Sequence, residues 1–203
     1  NVPGDPSSSA FFCALTLLNP GSQLKIKNVG LNPTRLGFYN LLKKQKARIL
    51  FENVKKDNNE IKGDIIVKSS NLKPIKASKE YYVKATDEYP ILFVIAALVK
   101  GVSIFKGIDD LANKESNRIK EMQKVLKQAG VKSIFSKNKL KIFGKGVMNL
   151  KKRKIFIPNL GDHRICMSAF VLANLTGARA KINNFETVFT SSPSFLKIMK
   201  TLG

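Results

Sequence analysis

With 203 residues (22.6 kDa), 43% hydrophobic and 25% charged at a mean hydropathy of −0.11, the chain holds one large folded domain or two small ones and is not a disordered polar chain. Its longest uninterrupted apolar run, residues 91–99, is half what a membrane-spanning helix needs, and its first residues lack the basic, apolar and small-residue pattern of a secretory signal. The 36 Lys and Arg against 14 Asp and Glu give a formal charge of +22, for which nucleic acid is the first partner to consider. Thirty of the 36 are lysines scattered along the chain, and a Lys-, Asn-, Ile- and Phe-rich composition is also what AT-rich coding sequence produces. The expectation is therefore a field that favours small anions, with no specific nucleic-acid surface and no membrane partner. Cys13 and Cys166 lie inside apolar stretches without metal-ligand spacing, and His163 is the one histidine, so no metal site is expected. Asn1 in place of a starting Met reads as a processed end or a cut inside a longer chain.

Three times along the chain an aspartate introduces an apolar helical stretch that ends near a glycine and passes into a short strand. Asp5 leads through SSSAFFCALTLL to Gly21 and a strand over 23–29, followed by an amphipathic helix over 35–46 and strands over 47–51 and 64–67 around a polar turn at 56–59. Asp87 leads through PILFVIAALV to Gly101 and a strand over 102–106. A helix over 117–129 then places Ile119, Met122, Val125 and Leu126 on one face, and strands over 131–135 and 140–143 flank a turn at 136–138. After a turn at 151–153, Asp162 leads through RICMSAFVLANL to Gly177, a strand over 178–182 and a helix over 194–202. The Asp-to-Gly distances are 16, 14 and 15 residues, and the aspartates lie 82 and 75 residues apart, a spacing too regular for chance.

The unit reads β-α-β-α-β-β, with bounds near 1–70, 71–145 and 146–203 and the third copy cut short after its second helix. Strands alternating with helices give an α/β class. The first helix of each unit is apolar nearly all round, the pattern of a helix enclosed by its own domain. Three such helices inside three small sheets form one domain of pseudo-threefold symmetry, with the aspartates at equivalent helix starts. Helix N-termini attract anions through unpaired N–H groups and the macrodipole.

Chemistry-bearing residues gather at those starts: Asp87-Glu88-Tyr89-Pro90, Lys114-Glu115-Ser116-Asn117-Arg118 and Asp162-His163-Arg164. Ordinary capping accounts for Asp87, Asp162 and Ser116. It does not account for Lys114, Arg118 and Arg164, since a cation at a helix N-terminus opposes the dipole and calls for an anion beside it. His163 reads as an orienting or packing residue.

VPGDPSSSAFF (2–12), NVGLNPTRLG (28–37), GDIIVKSS (63–70), DEYPIL (87–92), KESNRI (114–119) and GDHRICMS (161–168) resemble, in order and spacing, the C-terminal part of the 5-enolpyruvylshikimate-3-phosphate synthase family, and in particular its second-class, glyphosate-tolerant bacterial subgroup. The resemblance implies the inside-out α/β barrel-like fold of the enolpyruvyl transferases, three βαβαββ repeats around buried parallel helices. It implies transfer of the enolpyruvyl group of phosphoenolpyruvate to the 5-hydroxyl of shikimate 3-phosphate with release of phosphate, without metal or cofactor, in a cytoplasmic enzyme that is a monomer at full length. In that family Asp87 matches the proton acceptor, which also touches the shikimate ring, Glu115 the residue that moves protons at the methylene carbon, Lys114 a contact to shikimate 3-phosphate, and Arg118 with Arg164 the pair that holds phosphoenolpyruvate. Residues 1–203 then form the C-terminal domain. The N-terminal domain, with further phosphate ligands, is absent from this chain, which alone is expected to be inactive and somewhat unstable with an exposed inner face.

The pattern is departed from at Asn117, where the family usually has Asp; at Ser192, where an aromatic is common; and at Thr190, where some members carry a phosphate-binding lysine. Three other readings stay open on sequence: a UDP-N-acetylglucosamine enolpyruvyl transferase, which shares fold and chemistry; a basic nucleic-acid-binding module on the same repeats; and a catalytically dead paralogue.

Overall fold

A computed structural model describes residues 2–57 and 59–202. In the first unit, helix α1 (Pro6–Leu18) starts where the Asp5 carboxylate accepts the Ser8 N–H at 2.9 Å and Pro6 occupies the first helical turn, and it stops where the Asn19 N–H returns to Leu15 O and Pro20 follows. Strand β1 (Gln23–Gly30), a 3₁₀ turn (Pro33–Arg35), helix α2 (Gly37–Lys44) and the hairpin β2 (Arg48–Asp57) and β3 (Glu60–Lys68) complete it. The second unit runs β4 (Lys76–Ala77), α3 (Lys79–Val83), a 3₁₀ turn (Thr86–Glu88), α4 (Tyr89–Leu98), β5 (Gly101–Lys106), a 3₁₀ turn (Asp109–Asn113), α5 (Arg118–Gln128), β6 (Lys132–Ser136) and β7 (Lys139–Gly144). The third has β8 (Lys154–Ile157), α6 (His163–Thr176), β9 (Arg179–Ile182), α7 (Thr187–Ser191) and α8 (Phe195–Leu202).

The α/β class and the inside-out arrangement stand. Helices α1, α4 and α6 bury residues on all sides and pack on one another, with every residue of α4 buried. Each is the crossover between two parallel strands: β4 pairs β5 and β8 pairs β9, while before α1 the pairing shrinks to a single Gly4–Val29 bridge. The sheets have the orders β1-β3-β2, β4-β5-β7-β6 and β8-β9, and among the described residues they remain three separate sheets that do not join into a closed barrel. The three helices point the same way. Their first turns are cross-linked by side chains, as described below, and Leu17, Leu98 and Leu175 from their last turns line one cavity of about 460 Å³ at the opposite end. Incoming loops satisfy the carbonyls there: Ser70 N donates to Leu17 O, Lys145 N to Ala97 O and Leu150 N to Thr176 O, at 2.9, 3.0 and 2.7 Å. Phe195 of α8 seals the third unit inside an aromatic cluster with Phe11, Phe12, Phe170 and Phe185. Both cysteines are buried free thiols, and burial pushes Cys13 up to about 12 despite a hydrogen bond with Tyr39.

Two expectations need correction. The helix expected over 35–46 begins at Gly37, because Asn32 and Pro33 set up the 3₁₀ turn and the Gly37 N–H is taken by Lys84 O at 3.0 Å, so close that a Cβ on Gly37 would meet the Lys84 backbone at 2.6 Å. The strands expected over 47–51 and 64–67 are the inner ends of a longer hairpin, β2–β3. The turn expected at 56–59 centres on Asn58, outside the described residues; Asp57 still pairs with Glu60 across it. The leading strand of the β-α-β-α-β-β unit, given no position from sequence, is β4 in the second unit and β8 in the third, and the short helices α3 and α7 were not anticipated.

Candidate active site

Helix α5 opens at Asn117, whose side chain accepts the Lys120 N–H at 3.0 Å, and this cap sets the next residue, Arg118, facing inward. Arg118 is fully buried, and its guanidinium bonds three carboxylates from three places in the chain. Nε donates to Asp162 Oδ2 at 3.1 Å, Nη1 to Asp87 Oδ1 at 3.1 Å, and Nη2 to Glu115 Oε2 at 2.5 Å. Asp162 is fully buried and caps α6, accepting the Arg164 and Ile165 N–H groups on Oδ1 while Oδ2 also takes the Ser116 hydroxyl at 2.8 Å. Arg164, in the first turn of α6, lies 3.5 Å from Asp87 Oδ2 through Nη2, and its buried Nε has no hydrogen-bond partner. The starts of α4, α5 and α6 are thus tied into one cluster. The start of α1 joins it through Ser7, which lines a cavity of about 130 Å³ together with Thr34, Arg35, Lys84, Asp87 and Glu88.

The electrostatics follow from this geometry. Burial alone would raise the Asp87 carboxyl, but Arg164 and Arg118 outweigh it and hold the group below its ordinary value, so Asp87 is ionised at neutral pH. Burial works against the Arg118 charge as well, and Asp162, Glu115 and Asp87 more than offset it. The adjacent Glu88 is 3% exposed, and burial pushes its carboxyl up, the Ser7 hydroxyl relieving part of the shift. His163 is lowered by burial and then by Arg164, which keeps the ring neutral at pH 7.

Of the residues singled out from sequence, the structure brings Asp87, Glu115, Arg118 and Arg164 together. Lys114 stands beside them in the chain but is ion-paired to Asp110 at 2.8 Å. Two capping readings are overturned. Asp87 sits inside the 3₁₀ turn Thr86–Glu88 and caps nothing, and Ser116 gives its hydroxyl to Asp162 while Asn117 takes the capping position. Only Asp162 caps as expected. Three carboxylates of the same chain surround the cation at the start of α5 and take three of its five donors, while Arg164 keeps more of its donor capacity. Asp110, the partner of the lysine, escaped sequence reading, and Asp162, read there only as a cap, also buttresses Arg118. The available signal was parity: KESNR and DHR together hold more acids than a bare anion clamp requires. Thr190, at the end of α7, donates its hydroxyl to Thr187 O at 2.8 Å, and Ser192 ends that helix. Among the described residues no cluster of His, Cys, Asp and Glu has a metal-binding arrangement.

The family model for EPSP synthase (3-phosphoshikimate 1-carboxyvinyltransferase) matches residues 1–199. A 3-phosphoshikimate 1-carboxyvinyltransferase of Geotalea daltonii is 36% identical over 98% of this chain and 46% of its own length; one from Zymomonas mobilis subsp. mobilis is 39% identical over 100% and 45%. The solved EPSP synthase from Acinetobacter baumannii superposes with a TM-score of 0.91 at 33% identity, covering all of this chain and 46% of that one. The enolpyruvyl transferase NikO from Streptomyces tendae shares the fold at 12% identity with a TM-score of 0.72. The chain spans about half the length of the curated relatives it matches.

Proposed function

The chain belongs to the EPSP synthase family, and on that premise we propose that it is the C-terminal half of a two-domain cytoplasmic enzyme, a monomer when whole, that transfers the enolpyruvyl group of phosphoenolpyruvate to the 5-hydroxyl of shikimate 3-phosphate. The observation that carries this reading is Arg164. It is a guanidinium nine-tenths buried at a helix start, with an unpartnered Nε and Asp87 3.5 Å from its Nη2. A buried donor left empty costs about 1–3 kcal/mol, which an anionic ligand bound there would remove. In this reading Arg164 and the remaining donors of Arg118 hold phosphoenolpyruvate, Lys114 contacts shikimate 3-phosphate, Asp87 accepts the proton of the 5-hydroxyl, and Glu115 delivers a proton to the methylene carbon and takes it back as phosphate leaves.

The charges couple binding to chemistry. Before ligand binds, the arginines depress Asp87 and make it a weak base. Phosphate or carboxylate on Arg164 neutralises part of that field, so Asp87 gains basicity when the donor is in place. Glu115 must leave Arg118 to reach carbon, and its half-exposed side chain has room to do so.

The test is kinetic, in the full-length enzyme. Asp87→Asn is expected to lower kcat by about 10²–10⁴-fold with KM values nearly kept. Arg164→Lys is expected to raise the KM for phosphoenolpyruvate about tenfold or more, because the planar fork is lost. Wild-type kinetics in both variants would refute the assignment. Arg118→Ala is a poorer probe, since it dismantles the cluster as well as a ligand contact.

A further inference from the structure

The lysine that the proposed function assigns to the phosphorylated acceptor is anchored by residues outside that assignment. Lys114 Nζ and the Tyr82 hydroxyl both donate to one oxygen, Asp110 Oδ2, each at 2.8 Å. Tyr82 is buried, and its ring packs edge-on against Tyr89 at a centroid distance of 5.3 Å, so its hydroxyl is a fixed point. The same segment continues into the base: Thr86 Oγ1 donates to Tyr82 O at 2.8 Å, and Asp87 is the next residue. Asp110 therefore joins the turn that carries Lys114 and Glu115 to the turn that carries Asp87, through a carboxylate oxygen whose position the phenol sets.

We propose that Asp110 is a positioning residue for Lys114, itself oriented by Tyr82, that holds the ammonium in register with Asp87 for the phosphorylated acceptor. This rests on the proposed function for the identity of the ligand, though not for the tether. The physical ground is entropy. A lysine head on a four-carbon stem loses rotamer freedom when it meets a ligand, and that loss weakens binding unless the stem is already ordered. An exposed i,i+4 ion pair alone would do little; the buried phenol on the shared oxygen makes this one directional. Lys114 and Tyr82 also hold the Asp110 carboxyl below its ordinary value, as two donors on one carboxylate should.

Steady-state kinetics of the full-length enzyme test the role. Asp110→Asn is expected to raise the KM for shikimate 3-phosphate about fivefold to tenfold, with kcat and the KM for phosphoenolpyruvate within about twofold. Tyr82→Phe should move the same constant in the same direction by less, and Asp110→Asn should have no further effect in a Lys114→Ala background. An unchanged or lowered acceptor KM in Asp110→Asn, or an undiminished effect without Lys114, overturns the proposal. Carbon-13 titration of the Asp110 carboxyl in the unliganded enzyme needs no turnover. Its midpoint should rise in Lys114→Ala and in Tyr82→Phe, and an unmoved midpoint in both overturns the tether. Absence of turnover in the wild type, with the titration as expected, would strike the assigned reaction and not the tether.

Discussion

At the scale of single residues, Arg118 and Arg164 differ in what they are free to do, although sequence presents them alike. Arg118 spends one hydrogen bond on each of three carboxylates, and the deepest, Asp162, has no exposure to water. Removing the guanidinium leaves a buried anion with only two amide donors and the Ser116 hydroxyl, a loss of the kind that costs about 3–5 kcal/mol. Arg118→Met should therefore shift the midpoint of urea unfolding downward by that amount of stability, whereas Arg164→Met, which gives up a 3.5 Å ion pair and no hydrogen bond, should change it by less than about 1 kcal/mol. Comparable losses in both variants would mean that Arg164 is also structural. Sequence exposed both arginines because a cation at a helix start opposes the dipole. It could not show the partner of Arg118, because Asp162 stands 44 positions away and meets it only through the packing of α5 against α6.

Among the elements, the buried helices were legible because an apolar surface on every side has one solution, enclosure, and a preceding aspartate and a following glycine bracket each of them. The strands around them were legible where they follow a helix or return from such a strand in a hairpin. β4 and β8 are short, and they exist through parallel pairing with a strand on the far side of a helix, a non-local fact. The outer half of β2 is nearly all exposed and carries Glu, Asn, Lys and Asp, poor strand formers, so no alternation announced it. What holds that sheet is Asp64. It accepts the Asn28 N–H at 3.1 Å and the Asn53 side-chain amide at 2.8 Å, at the two places where the register slips and the backbone turns to positive φ. With Asn53, Asn28 and Lys25 all donating, its carboxyl is lowered from 3.8 to about 2. The unfolded chain then binds more protons than the native one between those values, so this stabilisation is complete above pH 3.8 and disappears as pH falls toward 2. Asp64→Ala is expected to lower Tm by several degrees at pH 6, with the gap closing across that acid window. A gap independent of pH would assign the loss to packing and not to the carboxylate.

For the molecule as a whole, threefold repetition brings four helix starts to one end, and a chain of charge +22 places a surplus of negative groups there. Asp5, Asp87, Glu88, Asp110, Glu115 and Asp162 lie with Arg35, Lys84, Lys114, Arg118 and Arg164 and a neutral His163, so acids slightly outnumber cations and the cluster does not by itself attract a polyanion. The field of the remaining lysines is long-ranged and screened within about 8 Å at physiological salt, too diffuse to replace ligands at contact distance. Under the proposed function, a site for two phosphorylated metabolites built on these residues would take further cations from a second surface set against the helix starts. That agrees with a chain about half as long as its relatives. It follows that the 203-residue chain alone should bind phosphoenolpyruvate more weakly than about 1 mM by calorimetry and release no phosphate from it in the presence of shikimate 3-phosphate. Adding the complementary half as a separate polypeptide should restore both. Turnover by the chain on its own would show that these helix starts suffice, and the charge argument for a site shared between two halves would fall.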